Sequence, residues 1–130
     1  MNRTTTALAV VLSLMALFQG CGNPPPPLPP GAMGPEIVQG GAVFRYRNAD
    51  ARTIHLVGDF NSWDATLDPM NDENGDGEWT LYYPLTPGTY VYKFVIDSKR
   101  WVADPTNPLR EPDGFDGDNS ILKIPETYNQ

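Results

Sequence analysis

Cysteine is almost missing: Cys21 is the single one in 130 residues. No internal disulfide can close, so a folded domain must stand on its core alone. Histidine is as scarce. His55 has no second imidazole and no nearby thiol with which to build a transition-metal ligand set, and an outward strand position accounts for it. Positive charge is in deficit, with 9 Lys and Arg against 16 Asp and Glu and a net charge of −7. Such a field repels nucleic acid and anionic lipid surfaces, so no nucleic-acid partner is expected. After residue 18 there is no long apolar run, and after residue 41 there is no apolar stripe at helical spacing, which nearly excludes helix. Nucleophile–base pairs, glycine-rich phosphate loops and metal clusters are missing too. Carboxylates abound, but in turns, and a domain this small has little room for a cleft that buries a substrate. The chain is expected to bind rather than to catalyse, and no cofactor is expected.

What is present falls into an address, a tether and a domain. Residues 1–6 are a short polar start with Arg3, followed by an apolar run over residues 7–18 broken only by Ser13. A bilayer span needs about 20 apolar residues, so this shorter run reads instead as the hydrophobic region of a signal peptide. It ends in LFQGC at residues 17–21, which resembles the lipobox of bacterial lipoproteins. The resemblance implies residues 1–20 as a leader and Cys21 as the lipidated first mature residue. Several acyl chains at about 0.8 kcal/mol per buried CH₂ give stable anchoring. Gly22 rather than Asp follows, which by the same resemblance implies the outer membrane in a Gram-negative cell envelope. The alternative is an ordinary secreted protein with a spare thiol. Residues 21–41 then form a Pro/Gly-rich linker. Its run Pro24 to Pro30 favours the extended polyproline form and a semi-rigid spacer of roughly 20 Å. A docking site for an aromatic-grooved partner is the other reading of that run.

From residue 42 the pattern changes to short alternating runs separated by turns. Strands are predicted over residues 43–47, 53–57, 78–83, 89–96, 101–103 and 120–124. The third and fourth are joined by PLTPG at residues 84–88, a turn rich in Pro and Gly. In residues 89–96, Tyr90, Tyr92, Phe94 and Ile96 share one face, while Val91, Lys93 and Val95 share the other. Trp79 alternates with Leu81 and Tyr83 and is expected in the core. About six to eight short strands with frequent turns indicate an all-β, immunoglobulin-like sandwich over residues 42–126, with a tail at 127–130.

One stretch departs from ordinary loop chemistry. GDFNSW, residues 58–63, opens with the polar letters of a strand end, yet carries two large rings. Phe60 is expected to fold back as a core plug, leaving Trp63 to face outward. GDFNSW, the hairpin GEWTLYYPLTPGTYVYKFVID (77–97), WVADPTNP (101–108) and GDNSILKI (117–124) together resemble the family-48 carbohydrate-binding module. That family includes the glycogen-binding domain of the AMP-activated protein kinase β subunit and the early-set domains of α-glucan branching and debranching enzymes. In the kinase domain a loop Trp, a strand Lys, a second Trp and an Asn before the last strand contact glucan. The resemblance carries those roles to Trp63, Lys93, Trp101 and Asn119. A Trp ring offers a flat apolar face to the C–H face of glucose with little conformational freedom to lose, and polar neighbours bond the hydroxyls. Lys93, on the outward strand face, would reach a hydroxyl with its flexible stem.

This chain also departs from the family pattern. The turn DSKR at 97–100 is one residue longer than the family's usual turn. Residues 115–118 replace a hydrophobic-and-threonine stretch that grips glucan in the kinase domain. Trp63 and Trp101 as packing residues, with Lys93 merely solvated, would make the domain a structural or protein-interaction module. The discriminating feature is whether the two Trp rings lie on one face. Asp72, Asn74, Asp76 and Gly77 match the first half of an EF-hand loop, but Tyr83 stands where its final Glu belongs. A turn between strands explains the same letters. The reading with most support is a lipid-anchored, non-catalytic module for glycogen, starch or maltooligosaccharide, working beside glycan-processing enzymes or other envelope proteins.

Overall fold

A computed structural model describes residues 34–129 of the chain. The leader, Cys21 and the proline run lie outside the described residues. Two antiparallel sheets face one another. The first is ordered β1 (Glu36–Val38), β2 (Gly41–Arg47) and β4 (Glu78–Pro84). The second is ordered β3 (Ile54–Gly58), β5 (Gly88–Ile96), β8 (Asp118–Ile124) and β7 (Arg110–Pro112). β5 is long enough to serve two partners along one edge. Residues 88–92 pair with β8, and residues 94–96 pair with β6 (Arg100–Val102), while β3 takes the opposite edge. Among the described residues helix is confined to single 3₁₀ turns, η1 (Asp59–Asn61) and η2 (Glu126–Asn129). The all-β sandwich read from the alternation is therefore the fold observed.

Period-two patterning decides what the sheets enclose. Ala42 and Phe44 of β2 meet Ile54 and Leu56 of β3, Tyr92, Phe94 and Ile96 of β5, and Leu122 and Ile124 of β8. Rings pack edge to face at the centre, Phe44 on Tyr92 at 5.0 Å and Tyr92 on Phe94 at 5.8 Å between centroids. Each such side chain removed from water contributes about 1.5–3 kcal/mol. Trp79 lies against this core, half-buried, and its indole N–H donates to the Asn48 carbonyl at 2.9 Å.

Two short strands depart from the sequence expectation. Residues 21–41 were expected to be a linker, yet Glu36–Val38 pairs with β2 through Ile37↔Ala42 and Val38↔Gly41. Gly40, at φ +81°, closes the two-residue turn between them, a conformation glycine adopts without strain. Arg45 clasps Glu36 across the pair at 3.2 Å. β7 was also unforeseen: its residues are all exposed, and only pairing with β8 defines it.

A buried polar network fixes the connection from β6 to β7. Asp104, 1% exposed, accepts a hydrogen bond from the Tyr92 hydroxyl at 2.8 Å and from Thr106 N–H at 2.9 Å. Asp104 N–H donates to Ser120 Oγ at 2.8 Å. Asn107 Nδ2 donates to the Tyr92 oxygen at 3.0 Å and to the Ile121 carbonyl at 2.9 Å. Burial, followed by the Asp104 charge, pushes the Tyr92 phenol far above its ordinary range, so it remains a donor. The DPTN run thereby bolts the loop to β5 and β8 and sets where β7 and the turn after it lie.

Candidate functional site

The outward face of the second sheet is built by the same alternation. Val57 stands opposite Lys93, and Val95 opposite Trp101. Val91 stands opposite Ile121, which puts Asn119, two residues earlier on β8, on this face as well. Val57 and Val95 are fully buried although they belong to no part of the central core. They give this outer face an apolar floor of its own.

GDFNSW supplies one wall. Phe60 turns inward, its ring 4.6 Å from that of Tyr83 and 6.1 Å from that of Phe44. Gly58 is required by that plug: a Cβ there would lie 2.6 Å from Phe60 Cε1 and 2.6 Å from the Val91 carbonyl oxygen. Asn61, only 7% exposed, ties the loop together. Its Oδ1 accepts Gly58 N–H at 2.9 Å, while Nδ2 donates to the Leu56 carbonyl at 2.9 Å and to Asp68 at 2.8 Å. Asp59 reaches across to accept Val91 N–H at 3.2 Å. After this anchor the backbone runs left-handed twice, at Ser62 (φ 59°) and Trp63 (φ 57°). Neither residue is glycine, so the conformation costs about 1–3 kcal/mol at each and persists because its surroundings hold it. Trp63 N–H closes the loop on the Gly58 carbonyl at 2.9 Å.

The hairpin from β5 to β6 presents Trp101. Asp97 and Ser98 both have positive φ, and Lys99 N–H bonds the Ile96 carbonyl at 3.1 Å, giving a tight turn of the primed kind. The Asp97 carboxylate accepts Arg52 N–H at 2.7 Å and Thr53 N–H at 3.1 Å, which holds its pKa below the usual range. Despite the extra residue in DSKR, Trp101 sits in register with Val95 and is 45% exposed.

These elements converge on one depression of about 400 Å³, lined by Trp63, Lys93, Trp101, Asp113, Phe115 and Asn119. All four residues singled out in the sequence are brought together. Lys93 differs from expectation in one respect. It lies on the outward face but is only 8% exposed, and its ammonium is ion-paired with Asp113 rather than solvated. Its ammonium is held in place at the lining of the depression rather than carried on a free stem. Asp113 was not foreseen. Its other oxygen accepts Phe115 N–H at 2.7 Å and Gly117 N–H at 3.0 Å. The Lys93 bond, then the Phe115 amide, holds its pKa down at about 2. Phe115 was not foreseen either. At 89% exposure it is the most exposed large apolar side chain described, standing at the tip of the turn that Asp113 closes. An aromatic ring inside an otherwise polar turn, PDGFDGD, was the available signal, the same one that marked GDFNSW.

The EF-hand-like letters build a turn instead. Asp72 accepts Asp76 N–H at 3.2 Å and Gly77 N–H at 3.1 Å, and Asp76 accepts Glu78 N–H at 2.9 Å. These carboxylates cap their own backbone, as Asp and Asn do in tight turns. Among the described residues no group of three or more His, Cys, Asp or Glu side chains is arranged to hold a metal ion.

Two tryptophans, an exposed phenylalanine and hydrogen-bonding groups around one open depression are an arrangement that can stack a flat, hydroxylated ring. Comparison with protein families bears on this directly: residues 32–107 match carbohydrate-binding module 48, the isoamylase N-terminal domain. The chain belongs to that family. Its members are carbohydrate-binding modules, non-catalytic in themselves. Among similar proteins is the 1,4-alpha-glucan branching enzyme GlgB of Corynebacterium jeikeium, 33% identical over 84 residues, covering 62% of this chain and 12% of that protein. The Marinobacter nauticus enzyme is 36% identical over 59 residues, 45% of this chain and 9% of that enzyme. The enzyme of Nitrosococcus oceani is 38% identical over 68 residues, 50% of this chain and 9% of its own length. This module-48 chain thus spans about a tenth of the length of the relatives it matches.

Proposed function

We propose that the chain is a non-catalytic α-glucan-binding module, anchored in a bacterial cell envelope through lipid on Cys21 and held off the membrane by its proline-rich spacer. The observation that carries the glucan reading is the meeting of Trp63 and Trp101, with Lys93 and Asn119, around one depression. A domain kept only as a structural scaffold has no need to set two tryptophans on a common face. Trp63 and Trp101 stack the apolar faces of successive glucose residues; Asn119 and Lys93 bond their hydroxyls. A depression this open suits a polymer lying across it rather than a small molecule enclosed within it. Lipid and spacer then raise the glucan concentration beside envelope enzymes or transporters by tethering.

Affinity electrophoresis tests the sugar reading. The protein is retarded in gels containing glycogen and runs freely in gels containing cellulose derivatives. Equal mobility in both would contradict it. Anchoring is tested separately: radiolabelled palmitate is incorporated into the wild type and not into Cys21→Ala, and the label's absence from the wild type would overturn that part.

A further inference from the structure

We propose that Asp113 is a ligand-reading residue: together with Lys93 it forms a donor–acceptor pair that recognises the free vicinal diol of a glucose residue. This rests on the glucan reading of the same depression and names what the site reads. Asp113 and Lys93 lie side by side in its lining, both nearly covered, with side-chain exposures of 9% and 10%.

The count of hydrogen-bonding capacity carries the inference. A carboxylate offers about four acceptor positions and an ammonium three donors. Asp113 receives Phe115 N–H and Gly117 N–H on Oδ1 and the Lys93 ammonium on Oδ2. One position on Oδ2 is left over. Lys93 makes its one bond to Asp113, so two of its N–H groups are left over as well. A spare acceptor and spare donors therefore adjoin at the lining of the depression. A vicinal diol complements this: one hydroxyl donates to the carboxylate while its neighbour accepts from the ammonium. In an internal α-1,4-linked glucose residue, O1 and O4 are consumed by the linkages. The 2-OH and 3-OH are then the only vicinal pair that remains, the 2-OH donating to Asp113 and the 3-OH accepting from Lys93.

The surroundings preorganise the pair. Asp113 N–H bonds the Gly117 carbonyl at 2.9 Å, closing a five-residue turn in which Gly114 and Asp116 take positive φ. The acceptor is thus fixed before ligand arrives, which lowers the ordering cost of binding. Its depressed pKa keeps it ionised, and so an acceptor, at any neutral or mildly acid pH.

The test compares maltoheptaose with 2-deoxymaltoheptaose, titrated against the full wild-type chain, Asp113→Asn and Asp113→Ser. Both replacements keep a short side-chain oxygen that can accept the turn's amides, so the loop retains its cap. The wild type is expected to bind the deoxy sugar about tenfold more weakly, since a charged group loses its hydrogen-bonding partner. Either variant is expected to bind maltoheptaose about tenfold more weakly than the wild type and to lose little more on the deoxy sugar. A residue that merely held the turn would lower affinity for both sugars alike and leave the wild-type ratio intact. That outcome, or unchanged binding by both variants, overturns the inference while leaving the glucan reading standing. No binding of maltoheptaose by the wild type overturns the glucan reading and this inference together.

Discussion

Replacing Asn61 with alanine removes a residue that touches no ligand-facing surface yet supports the loop that positions Trp63. Three hydrogen bonds are lost at once. Gly58 N–H and the Leu56 carbonyl belong to fully or almost fully buried residues, whereas Asp68 is partly exposed and can rehydrate. Leaving a buried polar group unpaired costs about 1–3 kcal/mol. Two such groups, softened by any water that enters the space left by the amide, give an expected loss of about 2–4 kcal/mol. For a domain of ordinary stability that is a large fraction of the total. The left-handed pair Ser62–Trp63 also loses the support that holds it, so the Trp63 ring moves. Urea unfolding followed by tryptophan fluorescence reads the first effect, and glucan affinity measured where the variant is still folded reads the second. Both are expected to fall together. Stability within about 0.5 kcal/mol of wild type, as is usual for surface changes, with undiminished affinity, would refute the claim that Asn61 is the keystone of this loop.

Two further outcomes are expected. Tyr92→Phe deletes the hydroxyl that donates to Asp104 and accepts from Asn107, stranding a carboxylate oxygen in a residue that is 1% exposed. The loss is about 1–3 kcal/mol by urea unfolding, and a neutral result would mean that water replaces the hydroxyl. The second concerns acid. Because the folded pKa of Asp113 lies at about 2, below the ordinary carboxylate value of about 3.9, its charge contributes stability that is present above that ordinary value. The contribution is lost as pH falls towards the folded value. Melting temperatures of wild type and Asp113→Asn should therefore differ at about pH 6 and converge between about pH 4 and pH 2. A constant gap throughout would refute the ion pair as its source.

Much of this was legible in the chain. Alternation of large apolar residues in residues 89–96 marked both faces of β5, because period two is a local property that needs no partner to be seen. GDFNSW announced itself by putting rings into a polar turn, and the correspondence with module 48 supplied the other three site positions. What stayed hidden depends on pairing across distance. β1 and β7 are three residues each, too short to display alternation, and β7 carries no buried residue. Asn61 reads as a solvated turn residue until the fold closes around it. Lys93 reads as a free cation on an outward face. Only the folded chain brings Asp113, twenty residues away in sequence, against it.

Titration calorimetry of the wild-type chain with maltoheptaose, beside the Trp63→Ala, Trp101→Ala double variant, tests the central claim most directly, with circular dichroism to establish that both are folded. The account predicts saturable heat from the wild type and none from the double variant. No heat at about millimolar sugar from a folded wild type would contradict it and leave an early-set sandwich that serves as an interaction module.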